Sequence, residues 1–159
     1  FVVPLFVRSQ HHRHRTWSYN EISRRYTDVG FQFYEPESFR TQHKSNRQAS
    51  NENELIDPLV QYPRQMYGAM TAVGAVQEHN KVFERLVESG VCREQARGVL
   101  PQNMYTQYYG TVNLSNLIKF IDLRTHEGAQ WEIQKVAEAC LDIASDLYPL
   151  ATAAYRGSE

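Results

Sequence analysis

Apolar residues in the last third of the chain follow a helical period. Ile133, Val136, Ala137, Cys140, Leu141, Ala144 and Leu147 recur at steps of three and four, which puts them on one face of a helix. Ahead of them, residues 104–112 are aromatic and β-branched and predict a strand. Ser115 is the expected cap of a helix over 116–123. A short helix is expected over 93–99, ended by Pro101. From 59 to 88 the pattern is helical until Ser89 and Gly90 stop it. Within that stretch Tyr67, Met70, Gly74, Gln77, Lys81 and Phe83 form no single stripe, so burial on several sides is expected. Near the start, Pro4 suits the first turn of a helix over 4–15, and the turn formers of 16–20 predict a loop. Residues 31–34 read as a strand, and the polar stretch 35–54 as a long, mobile surface loop. The sum is an α+β chain: one domain over 1–159, with helices packed on a small sheet.

Composition narrows the class. The chain has 159 residues, 42% hydrophobic and 22% charged, enough for one domain with a real core. No apolar run reaches the roughly 18 residues of a membrane span. The opening lacks a basic start and a small-residue cleavage site, so a cytoplasmic protein is the expectation. The first residues are an apolar run without Met, as if strands had been removed ahead of them. Cys92 and Cys140 are too few and too far apart for a disulfide framework or a zinc site.

A net charge of −1 argues against a general polyanion binder, but the cations are mostly one kind: 13 Arg against 4 Lys. Arg offers a planar fork that matches phosphate and carboxylate at two points. Arg8, Arg13, Arg15, Arg24 and Arg25 fall in the first 26 residues, against the single acid Glu21. This local patch points to a small anionic ligand.

The richest stretch runs from Gln10 to Tyr26. It holds His11, His12 and His14, four of those Arg, the hydroxyls of Thr16, Ser18, Ser23 and Tyr26, the amide of Asn20, and Glu21. Guanidiniums neutralise phosphates, hydroxyls and amides orient sugars, and a lone carboxylate accepts from a base or ribose. Three other readings stand beside that one. The His triplet as a metal site lacks neighbouring Cys or Asp and has poor helical spacing. The Arg cluster reads equally as a solvated face. With Trp17, Tyr19 and Tyr26 it also reads as an RNA or DNA patch.

The order Arg13-His14-Arg15, seven residues, then Ser23 resembles the motif of flavin-dependent thymidylate synthases, and Ser18, Asn20, Glu21, Arg25 and Tyr26 fit its wider frame. Arg97 within residues 96–101, Tyr105-Thr106 with Thr111-Val112-Asn113, and Leu123-Arg124 with residues 129–133 extend the resemblance along the chain.

The resemblance implies dTMP synthesis from dUMP, with FAD, NADPH and methylenetetrahydrofolate, in a homotetramer whose sites lie at subunit interfaces. It implies dUMP as partner, with no nucleic acid and no membrane. By position, Arg13, His14, Arg15, Asn20 and Glu21 would hold FAD, with Asn113, Leu114, Ser115 and Lys119. Gln10, Arg13, Glu21, Ser23, Arg24 and Arg25 would line the dUMP site from one subunit, and Arg97 and Arg124 would reach it from another. The family usually carries strands ahead of this point. Gly128 stands where many members have His, Lys119 where some have Asn, and Ser115 where some have Arg; these departures fall on flavin contacts more than nucleotide contacts.

The implied chemistry needs no thiolate, because reduced flavin delivers hydride to the uracil. Cys92 sits where a helix begins, but nothing around it supplies a nucleotide site, and Cys140 lies on the apolar face of the last helix. Arg124 is the expected catalytic group: a guanidinium beside the uracil N3–O edge stabilises an ionised imide. A surface ion pair of Arg124 with Asp122 or Glu127 is the plainer alternative. Ser23 reads as a hydrogen-bond donor to dUMP, not as a nucleophile. A non-catalytic nucleotide- or RNA-binding oligomeric homologue would use the same Arg and aromatic residues.

Overall fold

A computed structural model of the chain describes residues 1–23, 31–46, 50–61 and 68–157. Its centre is a three-stranded antiparallel sheet in the order β1-β7-β2. β7 (Tyr105–Thr111) is the middle strand: β1 (Val2–Pro4) pairs with its first half and β2 (Ser18–Glu21) with its second. Successive side chains of a strand point to opposite faces. Thr106 and Tyr108 therefore share the buried face of β7, while Gln107 and Tyr109 share the outer one.

Helices cover the inner face. α1 (Leu5–His11) follows β1 directly and buries Val7 and His11. α5 (Leu114–Thr125) and α6 (Trp131–Leu147) pack against each other and supply Phe120, Ile121, Ile133 and Ala137 to a core shared with Val3, Val7, Trp17 and Tyr108. Burying each larger side chain contributes about 1.5–3 kcal/mol, which makes this cluster the main support of the sheet. The expected stripe of α6 holds from Ile133 to Ala144, with Val136, Cys140 and Leu141 packed on that core, whereas its last member, Leu147, is 66% exposed. After the break at Tyr148, Pro149 opens α7 (Pro149–Arg156), since its fixed φ suits a first turn.

Several expected elements differ. The first helix ends at His11 rather than at 15, and the expected loop at 16–20 gives way to β2, because the free edge of β7 offers backbone partners. The strand expected at 31–34 is reduced to one bridge, Phe33 to Met104. The stretch 35–54 is not a plain loop: β3 (Phe39–Gln42) and β4 (Ser50–Ile56) form an antiparallel pair with a register shift between Arg40 and Thr41.

The expected helix over 59–88 is two short strands, β5 (Leu59–Gln61) and β6 (Ala69–Thr71), then α2 (Ala72–Asn80) and α3 (Val82–Glu88). Tyr67 lies outside the described residues. Gly68, at φ 68, turns the chain into β6, a conformation that only glycine takes at little cost. Thr71 then caps α2 by accepting from the Gly74 N–H at 3.2 Å. Gly90 stops α3 at φ 88, as expected. The helix expected over 93–99 is α4 (Arg93–Ala96) continued by a 3-10 turn (Arg97–Val99). The cap of α5 is Asn113, not Ser115: its side chain accepts from Asn116 N–H at 2.9 Å. Among the described residues no helix is long and apolar enough to cross a membrane.

Candidate functional site

The stretch from Gln10 to Glu21 leaves α1 and folds through tight turns into β2. Arg13 N–H donates to the Gln10 carbonyl, His14 N–H to that of His11, and Trp17 N–H to that of His14. These turns sort the side chains. His11 is fully buried (0% exposed) and Trp17 is buried, while Arg13 and Arg15 are exposed. The Tyr19 hydroxyl lies 2.8 Å from the His11 carbonyl and 3.0 Å from that of His14, tying the turn to β2. Burial pushes this phenol up to about 12, so it keeps its proton and acts as a donor.

Arg124, on the last turn of α5, closes one side. Its Nε donates to His14 Nε2 at 3.1 Å, and its Nη2 donates to the Gln10 carbonyl at 3.1 Å. The contact is made within one chain, with an imidazole and a carbonyl and not with a carboxylate. Nor is it held as the surface ion pair weighed above: the Asp122 carboxylate accepts from the Tyr155 hydroxyl instead. Burial, and then the Arg124 charge, hold His14 below the ordinary histidine range, so its Nε2 carries a lone pair for the guanidinium. Among the described residues the second nitrogen arm of Arg124, Nη1, has no acceptor and is left for a further one.

Gln10 is fixed at its other end too. Its Nε2 donates to Gln130 Oε1 at 2.5 Å, and Gln130 Nε2 donates to Glu132 Oε2 at 2.9 Å. Glu132 Oε1 accepts from Arg40 Nη2 at 2.5 Å and from the Tyr34 hydroxyl at 3.4 Å. Burial raises the Glu132 carboxyl, but hydrogen bonds from Arg40, its own backbone and Gln130 outweigh it and bring the group below the ordinary range. Arg40 also lies 5.1 Å from the Trp131 ring centre. Gln130, Glu132, Arg40 and Tyr34 line an open cavity of about 690 Å³ with Phe6 and Phe39.

Glu21 faces inward from β2. It accepts from the Thr106 hydroxyl at 2.6 Å and lies 3.5 Å from the Arg8 guanidinium. Ser18 and Asn20 face outward, so Asn20 and Glu21 sit on opposite faces of the strand. His12 stacks near Tyr19 with ring centres 4.0 Å apart, and burial followed by the Arg8 charge lowers its pKa.

The remaining expected residues spread more widely. Ser23 is exposed at the end of this stretch; Arg24 and Arg25 lie outside the described residues. Asn113, Leu114 and Ser115 begin α5 just past Thr111, the partner of Ser18, and Lys119 is exposed on the same helix. Arg97 is exposed in its own turn, where Nε donates to the Glu94 carbonyl at 3.3 Å. Cys92 is exposed, with Sγ 3.6 Å from Gln95 Oε1. Cys140 packs on the core, where burial pushes its thiol up to about 11, as an unreactive core residue requires. No group of three metal-ligating side chains occurs among the described residues.

The sequence marks Gln10, His14 and Arg124 and sets Arg8 in the cationic patch, but it assigns no site role to Thr106, Gln130, Glu132 and Arg40. Gln130 and Glu132 had a signal, since both lie in the resembling block 129–133. Arg40 had none, because its role depends on the β3–β4 pair.

The fold and this cluster define an α+β domain that gathers guanidiniums, an imidazole and amides along one edge of a small sheet. The chain belongs to the Thy1 family, the thymidylate synthase complementing proteins, whose sequence profile matches residues 1–150. It is 44% identical over 156 residues to the flavin-dependent thymidylate synthase of Thermus thermophilus, covering 96% of this chain and 53% of that one. It is 40% identical over 162 residues to that of Aquifex aeolicus, covering 100% of this chain and 46% of the relative. The chain thus spans about half the length of these curated relatives. Among solved structures, the UMP/dUMP methylase PolB from Streptomyces cacaoi bound with 5-Br dUMP superimposes with a TM-score of 0.74 at 30% identity. That match covers 98% of this chain and 68% of the other.

Proposed function

We propose that this chain forms part of a flavin-dependent thymidylate synthase, which converts dUMP to dTMP with methylenetetrahydrofolate as carbon donor and FAD and NADPH as reductants. The observation that carries the proposal is the Arg124 guanidinium, held by His14 and the Gln10 carbonyl with Nη1 left over. The names of the relatives and of the solved dUMP methylase support the substrate class.

The residues present fit FAD. Arg13 and Arg15 are exposed cations in the turn ahead of β2, and the first turn of α5 carries no acidic residue that would repel a phosphate at its N-terminus. Arg13, His14, Arg15 and Asn20, with Asn113, Leu114, Ser115 and Lys119, would hold the cofactor, and Glu21 would stand between it and the nucleotide. Bound flavin would supply the hydride, recharged by NADPH.

The chain's own residues bind, orient and polarise. Gln10, Arg13, Ser23, Arg24 and Arg25 would line the dUMP site, with Arg97 contributed by a neighbour in a homotetramer. Arg124 would stabilise negative charge on the uracil imide. Its position is preset by His14 and Gln10, so little reorganisation is needed when that charge develops. The setting would be the cytoplasm.

The purified protein should be yellow, with flavin absorbance near roughly 450 nm. It should oxidise NADPH faster when dUMP is added and should form dTMP from methylenetetrahydrofolate. A colourless protein with steeply salt-dependent RNA affinity would instead favour a non-catalytic binding homologue.

A further inference from the structure

We propose that Glu132 is a positioning residue: acting through Gln130, it sets which end of the Gln10 side-chain amide faces the nucleotide. The inference rests on the function proposed above and adds a polarity to it. An amide has a donor end and an acceptor end of nearly equal size, and a half-turn exchanges them unless neighbours specify one orientation.

Here the neighbours form a chain with one possible direction. The ionised Glu132 carboxylate only accepts, and Arg40 occupies one of its oxygens at 2.5 Å. The other oxygen therefore faces the amino end of Gln130, at 2.9 Å. That turns Gln130 Oε1 toward Gln10, which must answer with its own amino end, at 2.5 Å. Among the described residues Gln10 Oε1 meets no donor, which leaves it as an acceptor for a hydrogen-bond donor of the nucleotide. Arg124 holds the Gln10 carbonyl at the same time, so the residue is fixed from backbone and side chain together. The Glu132 side chain is only 11% exposed and that of Arg40 20%, so water competes little for the anchor of the chain.

The test is the dUMP dissociation constant of the flavin-loaded protein, measured by calorimetry, with KM and kcat alongside. Glu132→Gln keeps its carbonyl end on Arg40 and turns its amino end to Gln130, which reverses the chain and uses up Gln10 Oε1; it should weaken dUMP about tenfold, raising KM more than it lowers kcat. The double change Gln130→Glu with Glu132→Gln moves the carboxylate one link closer but keeps the direction: Gln10 must still offer its amino end. It should restore affinity to within about threefold of the parent. Gln130→Met breaks the link while sparing the Arg40–Glu132 pair, so it covers the case in which Glu132→Gln fails to fold. Its dUMP affinity should fall as far as in the Glu132→Gln variant.

Two results would overturn the proposal. One is parental dUMP affinity in Glu132→Gln and Gln130→Met. The other is a double variant no better than Glu132→Gln while flavin content and melting temperature stay normal. A parent protein that binds no dUMP would instead remove the functional reading, and this inference with it.

Discussion

Arg124 Nε donates to His14 Nε2 at 3.1 Å, joining the last turn of α5 to the turn that follows α1. The bond needs a neutral imidazole. Burial and the guanidinium both lower the pKa of His14, so protonation is disfavoured at pH 7. The two residues are 110 positions apart, yet each bears on the other: burial first and then the cation keep the ring neutral, and the ring aims the cation.

Arg124→Ala should reduce turnover at least about a hundredfold while FAD remains bound, since the change removes a preset charge and leaves Arg13 and Arg15 in place. Arg124→Lys should recover little, because one ammonium cannot reach His14, Gln10 and the nucleotide together. Steady-state rates with flavin absorbance check both, and ordinary activity in Arg124→Ala would end the assignment.

Subunit mixing should separate the two outlying cations. Arg124 meets Gln10 within one chain, whereas Arg97 is held away in its own turn. Mixed oligomers of Gln10→Ala and Arg97→Ala subunits should regain activity if sites are shared. Mixtures of Gln10→Ala and Arg124→Ala should not. Arg97→Lys should also weaken dUMP binding, and an unchanged dissociation constant would count against Arg97.

Ser23→Ala should retain measurable activity, because the proposed role is a hydrogen bond rather than attack on the base. Complete loss of turnover with intact folding and dUMP binding would revive a nucleophilic Ser23.

His11 makes stability depend on pH. Burial foremost, with His14, His12, the N-terminus and Arg124 adding, lowers its pKa from 6.5 to about 3. Between those values the unfolded chain binds a proton that the folded chain does not. This contribution is therefore complete above pH 6.5 and is lost as pH falls toward 3, at no more than about 1.4 kcal/mol per pH unit. Urea unfolding at pH 7 and pH 5 should show the loss, and His11→Phe should reduce the difference. That variant should also be less stable at pH 7 by about 1–3 kcal/mol, because the Tyr108 hydroxyl loses its partner at 2.8 Å.

Ile133→Ala should cost about 2–5 kcal/mol, since the side chain is fully buried between α6 and the sheet. A denaturation midpoint close to the parent's would mean that α6 does not anchor the core.

Local patterns determined the elements that carry their own signal. The stripe of α6, the strand β7, the stop at Gly90 and the short helix before Pro101 all follow from periodicity or backbone chemistry within a few residues. The polar types between Gln10 and Glu21 were legible from composition, and the separate blocks holding Arg97 and Arg124 only from the resemblance to flavin-dependent thymidylate synthases. Tertiary structure decided what the local pattern left open. Ser18–Glu21 is a strand because β7 presents unpaired backbone groups to it, although its residues favour turns. Arg40 reaches Glu132 only because β3 and β4 pair. Arg124 joins His14 and Gln10 because the α5–α6 core returns the end of α5 to the turn after α1. Hydrophobic spacing records which face of an element is buried, but the partner across that face is set by packing between segments far apart in the chain.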